Sequence, residues 1–345
     1  MNADLDIERP EALLAYLRRA GHIPADEQPL IRNIAGGVSN RTVLVERPSG
    51  EAWVVKQALK KLRVAVEWYS SPERIHREAL GMRWLEKLAP PGTSTGLIFE
   101  DHATHILAME AVPQPHENWK DMLLAGRLDT GHVQQFGRLL GTIHRAAHQY
   151  RDQIAPAFND RSFFETLRIE PYYVYTWSQI PETAQFYDRL IGETRTRRLT
   201  LVHGDYSPKN ILVYQGRMIL LDHEVIHFGD PTFDLGFSLT HFLSKAHHLP
   251  AYRAAFREAT VVYWRHYRNI VMNEPWATDL EARAVRKTLG VMLARVRGRS
   301  PLEYLDQTER YRQATVVIEL MADPPATVPA LTDAFLARIT ELEST

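Results

Sequence analysis

The chain has 345 residues, 45% of them hydrophobic and 24% charged, with 18 Gly and 20 Pro, an ordinary globular composition that excludes disordered and collagen-like classes. Its 41 Lys and Arg balance 42 Asp and Glu, so no basic excess points to nucleic acid or to an anionic membrane surface. There is no cysteine, which excludes a disulfide framework, a thiolate zinc site and a cysteine nucleophile.

The opening stretch MNADLDIERPEALLAYL is acidic and lacks the basic-then-apolar order of a secretion signal. No apolar run approaches the ~18 residues that span a bilayer. The expectation is a cytoplasmic protein without a membrane segment. Its length exceeds what one hydrophobic core usually serves, so two lobes are expected, residues 1–110 and 111–345. Neither is a charged tail.

In chain order, residues 7–20 read as an amphipathic helix with Leu13, Leu14 and Leu17 on one face. Strands follow at 30–35, 41–46 and 52–57, separated by a Gly36-Gly37 turn and by Pro48-Ser49-Gly50, which makes an antiparallel meander. Glycines at the first turn let backbone N–H groups approach an anion, and Ser39 and Asn40 add donors. An ordinary hairpin turn reads the same way, and no Walker A pattern occurs.

Lys56 lies on the third strand, on the same face as apolar Val54. A half-buried ammonium needs an anionic partner. The next helix, 72–88, supplies one: Ile75, Met82 and Leu85 define its inner face and Glu78 falls on that face. Residues 104–112 read as a strand that runs into PQPHEN, the candidate hinge. The remainder is expected to be mainly helical, for example 133–148 and 249–267.

Residues 199–235 hold the densest chemistry. Two short strands, 211–214 and 218–221, are joined by a Gln-Gly turn, with HGDYSPKN before the first and DHE after the second. This hairpin brings Asp205, Asn210 and Asp222 together. A carboxylate that orients a hydroxyl, beside hard oxygen ligands for a divalent cation, suits phosphoryl transfer. Glu224 adds a second carboxylate on the same face.

The stretch from His203 to Asn210 resembles the H-x-D-x-x-x-x-N catalytic loop of kinase-like phosphotransferases, and Asp222-His223-Glu224 stands where protein kinases carry D-F-G. Gly229-Asp230-Pro231 through Phe233-Asp234-Leu235 is similar to a run typical of the aminoglycoside phosphotransferase and choline kinase group. Local stretches (VVKQALKKLRV, the D-x-E motif and LGVMLARVRGR at 289–299) resemble methylthioribose kinase, from which the chain departs in carrying Asn210.

The resemblance implies an α+β, bilobal protein-kinase-like fold. Its N-terminal lobe would be an antiparallel sheet with one main helix, and its larger C-terminal lobe mainly helical. It implies Asp205 as catalytic base, Asn210 and Asp222 as magnesium ligands with Glu224 as a further one, and ATP as donor. Lys56, positioned by Glu78, would hold the α- and β-phosphates. The turn carrying Gly36, Gly37, Ser39 and Asn40 would cover the phosphates, and backbone at Met109, Glu110 and Ala111 would meet the adenine edge. His203 and Asp234 would brace the catalytic loop.

No A-P-E run or activation-loop segment follows Glu224, so the acceptor expected is the hydroxyl of a small molecule such as a sugar or hydroxy acid. The alternatives are an aminoglycoside or other antibiotic kinase and a nucleotide-binding pseudokinase. A homodimer is compatible with the resemblance. His144 and His148, spaced i, i+4, lack the intervening glutamate of a zinc motif. The aromatics Tyr172, Tyr173, Tyr175 and Trp177 could wall a substrate ring or pack in the core, and Arg295, Arg297 and Arg299 could meet an anion or cap a helix.

Overall fold

The computed structural model describes residues 5–34, 37–64 and 67–344. Helix α1 (Pro10–Arg19) precedes strands β1 (Leu30–Asn33), β2 (Asn40–Glu46) and β3 (Ala52–Ala58). Helix α2 (Arg74–Leu88) then leads to β4 (Leu97–Asp101) and β5 (Ile106–Glu110). The five strands form one antiparallel sheet in the order β1-β2-β3-β5-β4.

Period-two alternation sorts the two faces of this sheet. Val43, Val45, Val55, Ile106 and Ala108 bury against Leu13 and Leu17 of α1. Leu107, Met109, Ala58 and Val54 pack instead against Ile75, Ala79 and Met82 of α2. Lys56, two residues from Val54, therefore projects toward α2, as its strand position predicts. The first strand ends at Asn33 rather than continuing to 35; Ala35 and Gly36 lie outside the described residues.

The larger C-terminal part is mainly helical, as expected. Helix α3 (Thr130–Gln149), capped by Asp129 accepting from the His132 N–H at 2.9 Å, packs along α5 (Arg253–Val271). The two approach closely at Gly137, where a Cβ would sit 2.6 Å from the Tyr263 carbonyl oxygen. Between α5 and α6 (Leu280–Arg297) runs α4 (Thr232–His248), buried from Thr232 to His247. The helix expected from 249 starts at Arg253, after a 3-10 turn at Pro250–Tyr252.

The aromatic run expected between helices instead lies within them. Residues Glu165–Val174 form a π-helical stretch, followed by a helical turn, Tyr175–Gln179. Pro171 sits in the π stretch; proline lacks an N–H and crowds the carbonyl four residues back, and the wider turn relieves both. Among the described residues no helix is long and apolar enough to cross a membrane.

Candidate active site

Two small antiparallel pairings aim the polar loops at one another. Strand β6 (Thr200–Val202) pairs with β9 (His227–Gly229), and β7 (Ile211–Tyr214) forms a hairpin with β8 (Arg217–Leu220). The loop 203–210 leaves β6 and enters β7, while 221–226 leaves β8 and enters β9. Asp205, Asn210 and Asp222 thus converge at one end of the hairpin, where the Leu221 N–H donates to the Asn210 carbonyl at 2.9 Å. The polar residues before β7 and after β8 encode this convergence directly.

The 203–210 loop is fastened from behind. The buried carboxylate of Asp234, in the first turn of α4, accepts from the N–H groups of His203 (2.7 Å) and Gly204 (2.8 Å). His144 Nε2 lies 3.1 Å from the same carboxylate, and its Nδ1 is 2.9 Å from the Tyr267 hydroxyl. His144 is committed there and His148 Nδ1 meets the Leu199 carbonyl at 2.7 Å, so this pair forms no zinc site. One turn along α4, Ser238 Oγ donates to the Tyr206 carbonyl at 2.9 Å. Gly204 has φ +80°, and a Cβ there would also meet Val225 Cγ2 at 2.9 Å, so only glycine fits the turn.

Asp205 is buried, and both Lys209 Nζ (2.9 Å) and Arg168 Nη2 (3.1 Å) reach its Oδ2. Burial works to raise its carboxyl, but these two cations outweigh it and hold the group well below the usual carboxylate range. Neither cation was singled out from sequence. Lys209 lies inside the motif, four residues after Asp205, and that spacing was the available signal. Arg168 comes from the π-helical stretch, where Nε also donates to the Gly204 carbonyl at 2.7 Å; nothing in its sequence neighbourhood announces this.

Asn210 donates through Nδ2 to the Asp205 carbonyl at 2.9 Å, which turns its amide oxygen away from that bond. Asp222 has φ +68° and keeps a quarter of its side chain exposed. These two oxygens suit a hard divalent cation. Glu224, expected on the same face as Asp222, is engaged differently. Its Oε2 pairs with buried Arg74 Nε at 3.1 Å and lies 3.5 Å from Asn40 Nδ2.

Lys56 Nζ is 2.6 Å from Glu78 Oε1 and 3.6 Å from Asp222 Oδ1. Although burial opposes it, the surrounding Glu78, Asp222 and Glu224 hold the ammonium charged beyond its usual range. Burial pushes the Glu78 carboxyl up, to about 7, against the pull of Lys56.

The phosphate-covering turn is placed only in part. Gly36 lies outside the described residues; Gly37 is described, and a Cβ there would lie 3.2 Å from the Asn40 carbonyl oxygen. The Ser39 carbonyl accepts from Arg74 Nη2, and the Asn40 amide faces Glu224 rather than open space. Arg74, which sequence reasoning passed over, also donates to the carbonyls of Leu59 (2.9 Å), Ser71 (3.1 Å) and Ser70 (3.3 Å). One guanidinium thus ties the turn, the end of β3 and the Asp222–Glu224 segment together.

At the expected adenine edge, the Glu110 N–H donates to the Gly96 carbonyl and the Ala111 N–H to the Ala52 carbonyl, both at 2.9 Å. Sheet pairing uses these two N–H groups. Met109 is buried, its sulfur 3.6 Å from Thr95 Oγ1.

The family model described as the phosphotransferase enzyme family matches residues 30–270. No curated protein sequence matches the chain. Among solved structures it is similar to amicoumacin kinase hAmiN in complex with AMP-PNP, Ca2+ and Ami (TM-score 0.55, 17% identity, covering 91% of this chain and 94% of that one). It is similar to a microcompartment-associated aminopropanol kinase (TM-score 0.54, 14% identity, 96% and 98%). A putative fructosamine-3-kinase from Thermobifida fusca YX-ER1 is a further likeness (TM-score 0.52, 17% identity, 90% and 99%). At these identities the likenesses establish the fold, while the family match covers the sheet, the 203–210 loop and the Asp222–Asp234 run: the chain belongs to the phosphotransferase enzyme family and is an enzyme that transfers phosphate to a hydroxyl.

Proposed function

We propose that the protein is an ATP-dependent kinase of a small hydroxyl compound, with Asp205 orienting the acceptor and taking its proton. The convergence of Asp205, Asn210 and Asp222 at one end of the β7–β8 hairpin carries this reading. The acceptor oxygen bonds to the γ-phosphorus, the bond to the β-phosphate breaks, and the hydroxyl proton passes to Asp205. A carboxylate held this far below its usual range is a weak base, so the proton moves late, as a loose transition state allows.

Asn210 Oδ1 and Asp222 would hold magnesium, with the free oxygen of Glu224 near by. The metal, when bound, neutralises charge on the transferring phosphates. Lys56 would pair with the α- and β-phosphates, and the turn from 36 to 40 would lie over them. With the N–H groups of Glu110 and Ala111 spent in the sheet, backbone carbonyls of 109–111 and the Val112 N–H would meet adenine. Lys209, on Asp205 Oδ2, would also reach the phosphoryl group in flight. Residues 1–110 would form the nucleotide-binding lobe, and 111–345 the lobe that carries the catalytic groups and binds the acceptor.

The test is incubation with ATP and magnesium against a panel of hydroxylated metabolites and antibiotics, followed by mass spectrometry. A product 80 Da heavier, formed with stoichiometric ADP, is the expected result. Nucleotide binding with neither product nor ADP across the panel would favour the pseudokinase reading instead.

A further inference from the structure

Beyond Asp205, some buried side chains on α4 and α6 carry polar atoms with no hydrogen-bond partner among the described residues. Asp234, Ser238, His241 and Lys245 lie at i, i+4, i+7 and i+11 of α4, one stripe of the helix. The first two hold the catalytic loop through His203, Gly204 and Tyr206. His241 and Lys245 continue the stripe, about 4.5 Å and 10.5 Å further along the axis than Ser238.

A second line of contacts leads to the same place from α6. Arg295 Nη1 donates to the Tyr172 hydroxyl at 3.0 Å, and Arg168, the partner of Asp205, lies 5.7 Å from the Tyr172 ring centroid. From Arg295 the chain turns back, with the Leu302 N–H on the Arg295 carbonyl at 2.8 Å, and lays the Tyr304 ring 4.9 Å from Lys245 Nζ. Four polar atoms here, Lys245 Nζ, His241 Nδ1, Arg295 Nε and the Tyr304 hydroxyl, are buried without a hydrogen-bond partner.

Buried polar atoms are nearly always satisfied. Four of them on these adjoining segments, His241 Nδ1 in the tautomer that carries its proton there, mark the place of a missing acceptor. Among the described residues no carboxylate bonds to Lys245: Asp205 is shared by Arg168 and Lys209, Glu303 pairs with Lys120 at 2.9 Å, and Asp121 acts on Lys245 only at a distance. Burial also lowers Lys245 to about 7, outweighing the distant Glu303 and Asp121 carboxylates.

We propose that the acceptor is anionic, and that Lys245, His241, Arg295 and Tyr304 form the subsite that takes its carboxylate or phosphate while its hydroxyl lies at Asp205. This rests on the kinase reading above and names its substrate class. An anion seated there would satisfy all four donors, and a polycation would meet uncompensated positive charge.

The test is calorimetric titration of the enzyme, saturated with magnesium and AMP-PNP, with sulfate, acetate and methylammonium. Sulfate or acetate is expected to bind in the millimolar range, and whichever binds tighter distinguishes a phosphate from a carboxylate acceptor. Methylammonium is expected not to bind. Lys245→Met and Arg295→Gln should each weaken anion binding at least tenfold while AMP-PNP affinity, read in the same experiment, shows that the variants fold. Anion binding that is absent in the wild type or unchanged in both variants would overturn the proposal, as would binding of methylammonium alone. Failure of the wild type to bind AMP-PNP would contradict the kinase reading instead, with the anion result standing separately.

Discussion

Replacing Arg74 by methionine keeps the length of the side chain and removes the guanidinium that joins three segments of the site. In the native protein Arg74 is wholly buried, pairs with Glu224 at 3.1 Å and donates to the carbonyls of Ser39, Leu59, Ser70 and Ser71. The variant leaves the Glu224 carboxylate with Asn40 at 3.5 Å as its remaining hydrogen-bond partner. Breaking a buried pair from one side costs about 3–5 kcal/mol, and orphaned carbonyls add to this. We take about 5 kcal/mol, a large share of an ordinary total stability of about 5–15 kcal/mol. At about 2.1 cal/mol/K of unfolding entropy per residue, this lowers Tm by about 7 °C. Urea and thermal unfolding followed by circular dichroism would measure it. Adding Glu224→Gln removes the stranded charge and should restore at least half of the loss. A single variant within about 1 kcal/mol of wild type, or a double variant no better than Arg74→Met, would refute the role given to this pair.

Other outcomes follow from the same contacts. Asp234→Asn turns an amide N–H toward one of three donors now served by a buried carboxylate. It should cost about 3–5 kcal/mol in unfolding experiments and lower kcat more than it weakens nucleotide binding. Lys56→Met removes the ammonium between Glu78 and Asp222 and should weaken ATP binding at least tenfold by calorimetry, with Glu78→Gln showing a smaller loss. Lys245 has a folded pKa lowered to about 7, so as pH falls from 10 the unfolded chain takes up the proton first. Wild-type stability should therefore drop relative to Lys245→Met by about 1.4 kcal/mol per pH unit between pH 10 and 7 and level out below. A gap that stays constant with pH would contradict the buried, uncompensated ammonium.

The parts legible in the sequence are those encoded locally. Period-two alternation placed Lys56 on the α2 face of the sheet, helical spacing placed Glu78 opposite it, and the polar flanks of the 211–221 hairpin brought Asp205, Asn210 and Asp222 together. What escaped was set by distant packing. Arg74 and Arg168 sit on helices whose pattern gives them no special place, and each acts through partners far along the chain, Glu224 and Asp205. The π-helical stretch that aims Arg168 has no sequence period of its own, so the tyrosines within and just after it read as an interhelical cluster. Of them Tyr172 is tied to Arg295 and lies beside Arg168, while Tyr173 packs near Tyr187 and Phe233 in the core and Tyr175 lies under Arg299. Glu224, expected as a further magnesium ligand, pairs with Arg74, a counter-ion 150 residues away that its neighbourhood does not announce.

The proposed phosphoryl transfer rests on Asp205. Phosphate transfer from ATP, measured side by side in wild type and Asp205→Asn with nucleotide affinity recorded on the same samples, tests it directly. The expected variant keeps nucleotide affinity within about twofold of wild type and has a turnover lowered by about 10²–10⁴. Wild-type activity should keep no acid limb from Asp205 between pH 5 and 8, since Lys209 and Arg168 hold that carboxyl ionised. A variant that transfers phosphate as fast as wild type, with its affinity intact, would contradict it.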